Sequence, residues 1–227
     1  MNHKDCITRY IGCILCMLLC GMAAAVGSPR RAEASSTKPM IYIGDSRGEG
    51  LRLSISEEEK KKVTFYTGVA QGYQWLVDEI VPQVNTQLYS HPNKKYKIVI
   101  NLGINDFSYN MTNYTNKLNS LAKNDWAGYD IFVMSVTPVD DAKMLATCKY
   151  PKRNQDIAKA NKYLRENLDQ SCTNLHFVGL FKKMRNGGAM AQGFETGYDG
   201  AHYTSDTYIK IWDMLTERIK NIMKKKN

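Results

Sequence analysis

The limits of this 227-residue chain are set first by what it lacks. Beyond residue 40 no apolar run reaches the roughly 18 residues that a membrane span requires, which excludes a polytopic membrane protein. With 6 Pro and 16 Gly, it has too few of either for a collagen-like or low-complexity chain. Neither a G-x-G-x-x-G nor a G-x-x-x-x-G-K-[ST] loop occurs, so a nucleotide phosphate has no cradle. Asp140-Asp141 has no histidine nearby, and no metal or other cofactor is expected. Histidine is scarce, four in all. There are six cysteines, but Cys6, Cys13, Cys16 and Cys20 crowd the N-terminus, which argues against a zinc ribbon or a disulfide scaffold.

What is present has the balance of a globular domain. Hydrophobic residues make up 43% and charged residues 23%, so a disordered tail protein is excluded. The chain is basic, with 31 Lys+Arg against 22 Asp+Glu and a formal net charge of +9. The excess is concentrated in Lys60-Lys61-Lys62, Lys94-Lys95 and Lys224-Lys225-Lys226, tracts that read as solvated faces or frayed ends. Basic and aromatic residues are not interleaved, so no nucleic-acid partner is expected. Electrostatic association with an anionic cell envelope is.

Residues 1–34 read as a secretory signal. Lys4 and Arg9 precede the uncharged stretch Ile11 to Val26, and Ala32-Glu33-Ala34 forms a small-x-small site that would leave Ser35 as the new N-terminus. The alternative is an uncleaved anchor at the cell surface. Cleavage would leave two cysteines, Cys148 and Cys172, which would form one disulfide or stay as two buried thiols. Residues 35–227 then form one domain, long enough to bury roughly 70% of the surface of its unfolded chain.

Five short apolar runs predict strands: Met40 to Ile43, Val63 to Thr67, Lys97 to Leu102, Asp130 to Val136 and Leu175 to Val178. None alternates strictly, which is the pattern of strands covered on both faces. Helical spacing predicts helices over 73–88 (with Pro82 as a kink or break), 111–124, 154–168 and 204–223. Strands separated by helices imply an α/β three-layer sandwich around a five-stranded parallel sheet. In such sheets the site lies beyond the carboxyl ends of the strands.

Chemically capable residues gather at those ends. Ser46 follows the first strand in Gly44-Asp45-Ser46, where a tight turn would hold its hydroxyl outward as a nucleophile. A hydroxyl needs a base. His3 lies in the signal, His91 in a polar loop and His176 in the fifth strand, which leaves His202, three residues after Asp199. A carboxylate at that distance can fix the imidazole tautomer and steady the imidazolium. Asn105 can offer a side-chain amide to a developing oxyanion, and Gly72 and Ser46 backbone N–H groups. Taken singly, each feature also reads as an ordinary turn, cap or surface residue. Their order at successive strand ends makes the stronger signal.

Together, Ile43-Gly44-Asp45-Ser46, Gly72, Gly103-Ile104-Asn105-Asp106 and Asp199-Gly200-Ala201-His202 resemble the four blocks of the SGNH/GDSL hydrolase superfamily, and Ser135-Val136-Thr137-Pro138 is similar to that family as well. The resemblance spans residues 41–203. It implies a flavodoxin-like sandwich, Ser46 as nucleophile, His202 as base, Asp199 as its orienter, and an oxyanion hole from Ser46, Gly72 and Asn105. The second block is degenerate, since Gly68 and Gly72 both follow the second strand; Gly72 opens the helix and is preferred. Arg47 departs from the aliphatic or small residue of many relatives, and is expected to contact an anionic or glycan substrate or to pair with Glu49. Tyr73 is expected to line a sugar site and Trp75 to join the core. The expected activity is esterase chemistry on short acyl groups of extracellular or cell-wall carbohydrate. The alternatives are an acyltransferase using the same site and a catalytically silent glycan-binding module.

Overall fold

The computed structural model describes residues 39–226. Five parallel strands, β1 (Met40–Gly44), β2 (Val63–Thr67), β3 (Lys97–Asn101), β4 (Asp130–Met134) and β5 (Leu175–Val178), form one sheet in the order β2-β1-β3-β4-β5. Registers align like with like: Ile41 faces Ile98 and Ile98 faces Ile131, while Tyr42 faces Val99 and Val99 faces Phe132. Successive side chains point to opposite faces of a strand, so this alignment builds two apolar surfaces from one set of strands. Ile41, Ile43, Ile98, Ile100, Ile131 and Val133 join one buried cluster; Met40, Tyr42, Val99, Phe132 and Met134 join the other.

Helices cover both surfaces. α1 (Ser46–Ser54) and the long α8 (Ser205–Lys226) pack on the second cluster through Leu51, Ile211, Trp212, Leu215 and Ile219. The first cluster is covered by a helical segment over 73–90, by α5 (Phe107–Lys123) and by α7 (Asn154–Asn167). The expected sandwich is therefore the observed one.

The segment over 73–90 runs as α3 (Tyr73–Trp75), a π-helical turn (Leu76–Ile80) and α4 (Val81–Ser90). The Val81 N–H donates to the Leu76 carbonyl, a bond one residue longer than the α-helical one. Pro82 follows at once. It has no N–H to give and its ring crowds the preceding turn, and a π-bulge relieves both problems without ending the helix.

Four short elements were not foreseen from periodicity. α2 (Glu57–Lys60) is capped by Ser56, α6 (Asp141–Thr147) is capped by Asp140, and β6 (Arg185–Asn186) pairs antiparallel with β7 (Ala189–Met190). Cys148 and Cys172 are both free and half-buried against the first cluster. The expected signal, including its four cysteines, lies outside the described residues. Among the described residues no helix is long and apolar enough to cross a membrane.

Candidate active site

The strand order reverses between β1 and β3, the position at which a sheet of this kind opens a crevice beyond the ends of its strands. Ser46 and Asn105 leave those strands. Asp45 caps α1 by accepting the Arg47 N–H at 2.9 Å, which leaves Ser46 at the first helical position. Its own N–H thus belongs to the first turn, whose donors have no intrahelical acceptor. Burial pushes the Asp45 carboxyl up to about 6, against the lowering influence of Arg47 and His202.

His202 arrives from a loop 156 residues away and places Nε2 2.8 Å from Ser46 Oγ. Its Nδ1 meets Asp199 Oδ2 in a short contact. The other Asp199 oxygen accepts the Ala201 and His202 N–H groups, each at 2.9 Å. Burial works to raise the Asp199 carboxyl, but the His202 side chain and these backbone donors more than offset it, and the acid is held at about 2. An ionised carboxylate can only accept, so the proton sits on Nδ1 and the Nε2 lone pair faces the serine hydroxyl. Three of the residues singled out in the sequence therefore form one hydrogen-bonded chain.

The loop is held from below by α6. Asp140 N–H donates to the Gly200 carbonyl at 2.8 Å, and Lys143 Nζ reaches the carbonyls of Thr196 and Gly197. Gly200 has φ +72, and a Cβ there would lie 2.8 Å from Met144 N and 2.9 Å from Asp140 O. Only glycine fits both the conformation and the contact.

The Asn105 amide donates one N–H to the Gln71 carbonyl at 2.7 Å, which fixes the amide beside Gly72 and leaves its second N–H to point elsewhere. Asp106 begins α5 but does not cap it. Its carboxylate crosses to α3, where it accepts the Tyr73 N–H at 2.7 Å, and it also accepts the Tyr114 hydroxyl at 3.0 Å and the Asn110 amide at 3.1 Å from α5. A Cβ on Gly72 would lie 2.5 Å from Asp106 Oδ2. Gly72, the residue that should cap α3, has no side chain because the cap comes from Asp106. This arrangement favours Gly72 over Gly68 as the residue tied to Asn105.

Arg47 requires a correction. It is neither a rim cation nor the partner of Glu49, whose carboxylate is taken by Arg52 at 2.6 and 2.9 Å. The Arg47 side chain turns inward and is 3% exposed, donating to the Thr137 carbonyl and hydroxyl and to the Pro138 carbonyl, with its guanidinium 5.0 Å from the Tyr203 ring centre. It satisfies carbonyls of the segment that leaves the end of β4. Tyr73 is half-buried and meets Tyr114 edge-on at 5.2 Å, and Trp75 packs against the first cluster. His91 is exposed and His176 stacks on Phe132 at 5.0 Å; neither joins the chain at Ser46.

Two asparagines support the site from α7. Asn161 pairs both its amide groups with the Val136 backbone, and Asn154 does the same with Val139. The available signal was polar residues on the apolar face of a helix. Among the described residues no cluster of His, Cys, Asp or Glu could hold a metal ion.

No protein-family model and no curated protein matches the chain. Solved structures do. It is similar to the C-terminal catalytic domain of peptidoglycan O-acetyltransferase A from Streptococcus pneumoniae, with TM-score 0.51 and 16% identity over 82% of this chain and 95% of that one. A second Streptococcus pneumoniae structure, described as a platelet activating factor, gives TM-score 0.56 and 21% identity over 82% and 86%. A structure described as a GDSL-like lipase from Bacteroides ovatus gives TM-score 0.58 and 13% identity over 86% and 56%. Likeness at these identities is a likeness of fold, and the fold is that of the SGNH/GDSL hydrolases.

Proposed function

We propose that the protein is a serine esterase that cleaves carboxylic esters through an acyl-enzyme on Ser46. The observation that carries this reading is the chain from Ser46 Oγ through the His202 ring to the Asp199 carboxylate. His202 Nε2 takes the hydroxyl proton as Ser46 attacks the ester carbonyl, and the imidazolium that forms is steadied by Asp199. The Ser46 and Gly72 N–H groups and the free N–H of the Asn105 amide receive the oxyanion. The imidazolium then protonates the departing alcohol. Water, deprotonated by the same ring, releases the acid and regenerates the serine. No step draws on a metal.

Short acyl groups on extracellular or cell-wall carbohydrate fit a basic, exported protein, with the half-buried Tyr73 beside Gly72 as a sugar contact. Export itself is part of the proposal, and N-terminal sequencing of the secreted protein should begin at Ser35. Acyl transfer to a second sugar would use the same residues; one structure that shares the fold is the catalytic domain of a peptidoglycan O-acetyltransferase. The deciding experiment treats the protein with a fluorophosphonate and assays p-nitrophenyl acetate and a panel of acetylated glycans. Labelling at Ser46, and hydrolysis lost in Ser46→Ala, are expected. A folded Ser46→Ala that still hydrolyses the ester would refute the assignment, and an unlabelled wild type would point to a silent binding module.

A further inference from the structure

The oxyanion site has an electrostatic difficulty. The Asp106 carboxylate lies against Gly72, where a negative charge is to develop, and its partners are all neutral: a backbone N–H, a phenol and an amide. Asp106 forms no ion pair among the described residues. A fixed negative charge beside a developing one opposes it, and a half-buried setting screens that repulsion poorly.

Against the Asn105 carbonyl lies a cation with the converse arrangement. Lys152, in the connection from α6 to α7, is half-buried and sends Nζ to the Asn105 carbonyl oxygen at 3.2 Å. The same ammonium lies 5.6 Å from the centre of the Phe107 ring. Among the described residues it has no carboxylate partner. A carbonyl and an aromatic face hold a cation in place without cancelling its charge.

We propose that Lys152 is a positioning residue for the oxyanion hole, a deepening that rests on the esterase reading above. It acts through Asn105 in two ways. Its charge-assisted hydrogen bond clamps the peptide that carries the Asn105 amide, whose side chain is in turn held by the Gln71 carbonyl. Its charge offsets that of Asp106 at the place where the oxyanion forms. Both effects matter more in the transition state than in the bound ester, so the loss should fall on turnover.

The test is steady-state hydrolysis of p-nitrophenyl acetate, a neutral ester that offers the lysine no charge to bind, by the wild type, Lys152→Met and Lys152→Arg, with thermal melting of each. Lys152→Met should lower kcat about tenfold with KM within about twofold, and Lys152→Arg should recover most of the loss. If Lys152→Met does not fold, Lys152→Gln is read by the same criteria. Unchanged kcat in the neutral variants, a loss confined to KM, or an arginine variant as impaired as the methionine one would each overturn the proposal. A wild type inert to both the ester and a fluorophosphonate would defeat the esterase reading and this inference with it. An active wild type with an unaffected Lys152→Met defeats this inference alone.

Discussion

Each group at the site has its chemistry set by its neighbours. In the proposed mechanism the serine depends on a lone pair at His202 Nε2, and that lone pair depends on Asp199 staying ionised. Asp199→Asn should therefore leave the protein folded and reduce kcat about 10⁴-fold, by favouring the wrong tautomer. Asn105→Ala should cost about 10²–10³ in turnover if its amide receives the oxyanion. With Asp199 held at about 2, below its ordinary 3.8, its contribution to stability is complete above 3.8 and is lost as the pH falls through about 2. The acid limb of a rate profile at ordinary pH will not report Asp199. Asp45 behaves in the opposite sense. Burial holds it at about 6, above its ordinary 3.8, so between those values the folded state binds more protons than the unfolded one, and stability declines as pH rises. The difference is on the order of 3 kcal/mol, and a series of melting curves from pH 4 to 8 should flatten in Asp45→Asn. Ser46, Asp199 and His202 were legible in the sequence because each sits within a few positions of a strand end or of its partner. The destination of Arg47 was not, since its acceptors lie 90 and 91 residues away and nothing in the local sequence sets its side chain inward.

At the level of elements, the site is supported by side chains that serve a neighbouring backbone. β4 ends at Met134, but the chain continues without a strand beside it, and its backbone groups need partners. Asn161 and Asn154, two turns apart on α7, supply them at Val136 and Val139. Asn161→Ala would orphan a buried N–H and a buried carbonyl at once and should destabilise by about 3 kcal/mol in urea denaturation. Strain collects on the opposite wall, where Ala70 adopts φ 59 within the turn that carries Gly72. That conformation costs a non-glycine residue about 1–2 kcal/mol, and glycine gives back part of the gain as unfolded-chain entropy, so Ala70→Gly should stabilise by about 0.5–1 kcal/mol. The four long helical segments were legible from their apolar spacing. α6 was not: only Met144 is buried on it, and it is held by the Asp140 cap and the Gly200 contact rather than by an amphipathic face.

For the molecule as a whole, one sheet separates two apolar clusters, and the helices on either side stand or fall with it. Trp212 on α8 is 4% exposed and donates its indole N–H to Glu59 at 2.7 Å, joining the last helix to the short α2. Trp212→Phe should cost about 1 kcal/mol for the lost hydrogen bond. Trp212→Ala should cost about 3–5 kcal/mol and bring both clusters down in a single transition, seen as coincident loss of near- and far-ultraviolet circular dichroism. The sandwich was readable because strands buried on both faces are nearly unbroken apolar runs. The strand order was not readable from spacing, since all five runs look alike.

The carboxylate that Asp106 lends to α3 gives the two loops at the crevice a shared fate. A turn taken from another protein to replace residues 68–72 would arrive with its own capping side chain and collide with the one already supplied from α5. Anyone reshaping the mouth of this crevice must exchange both walls together, because thirty-odd residues of intervening chain do not make them separable parts.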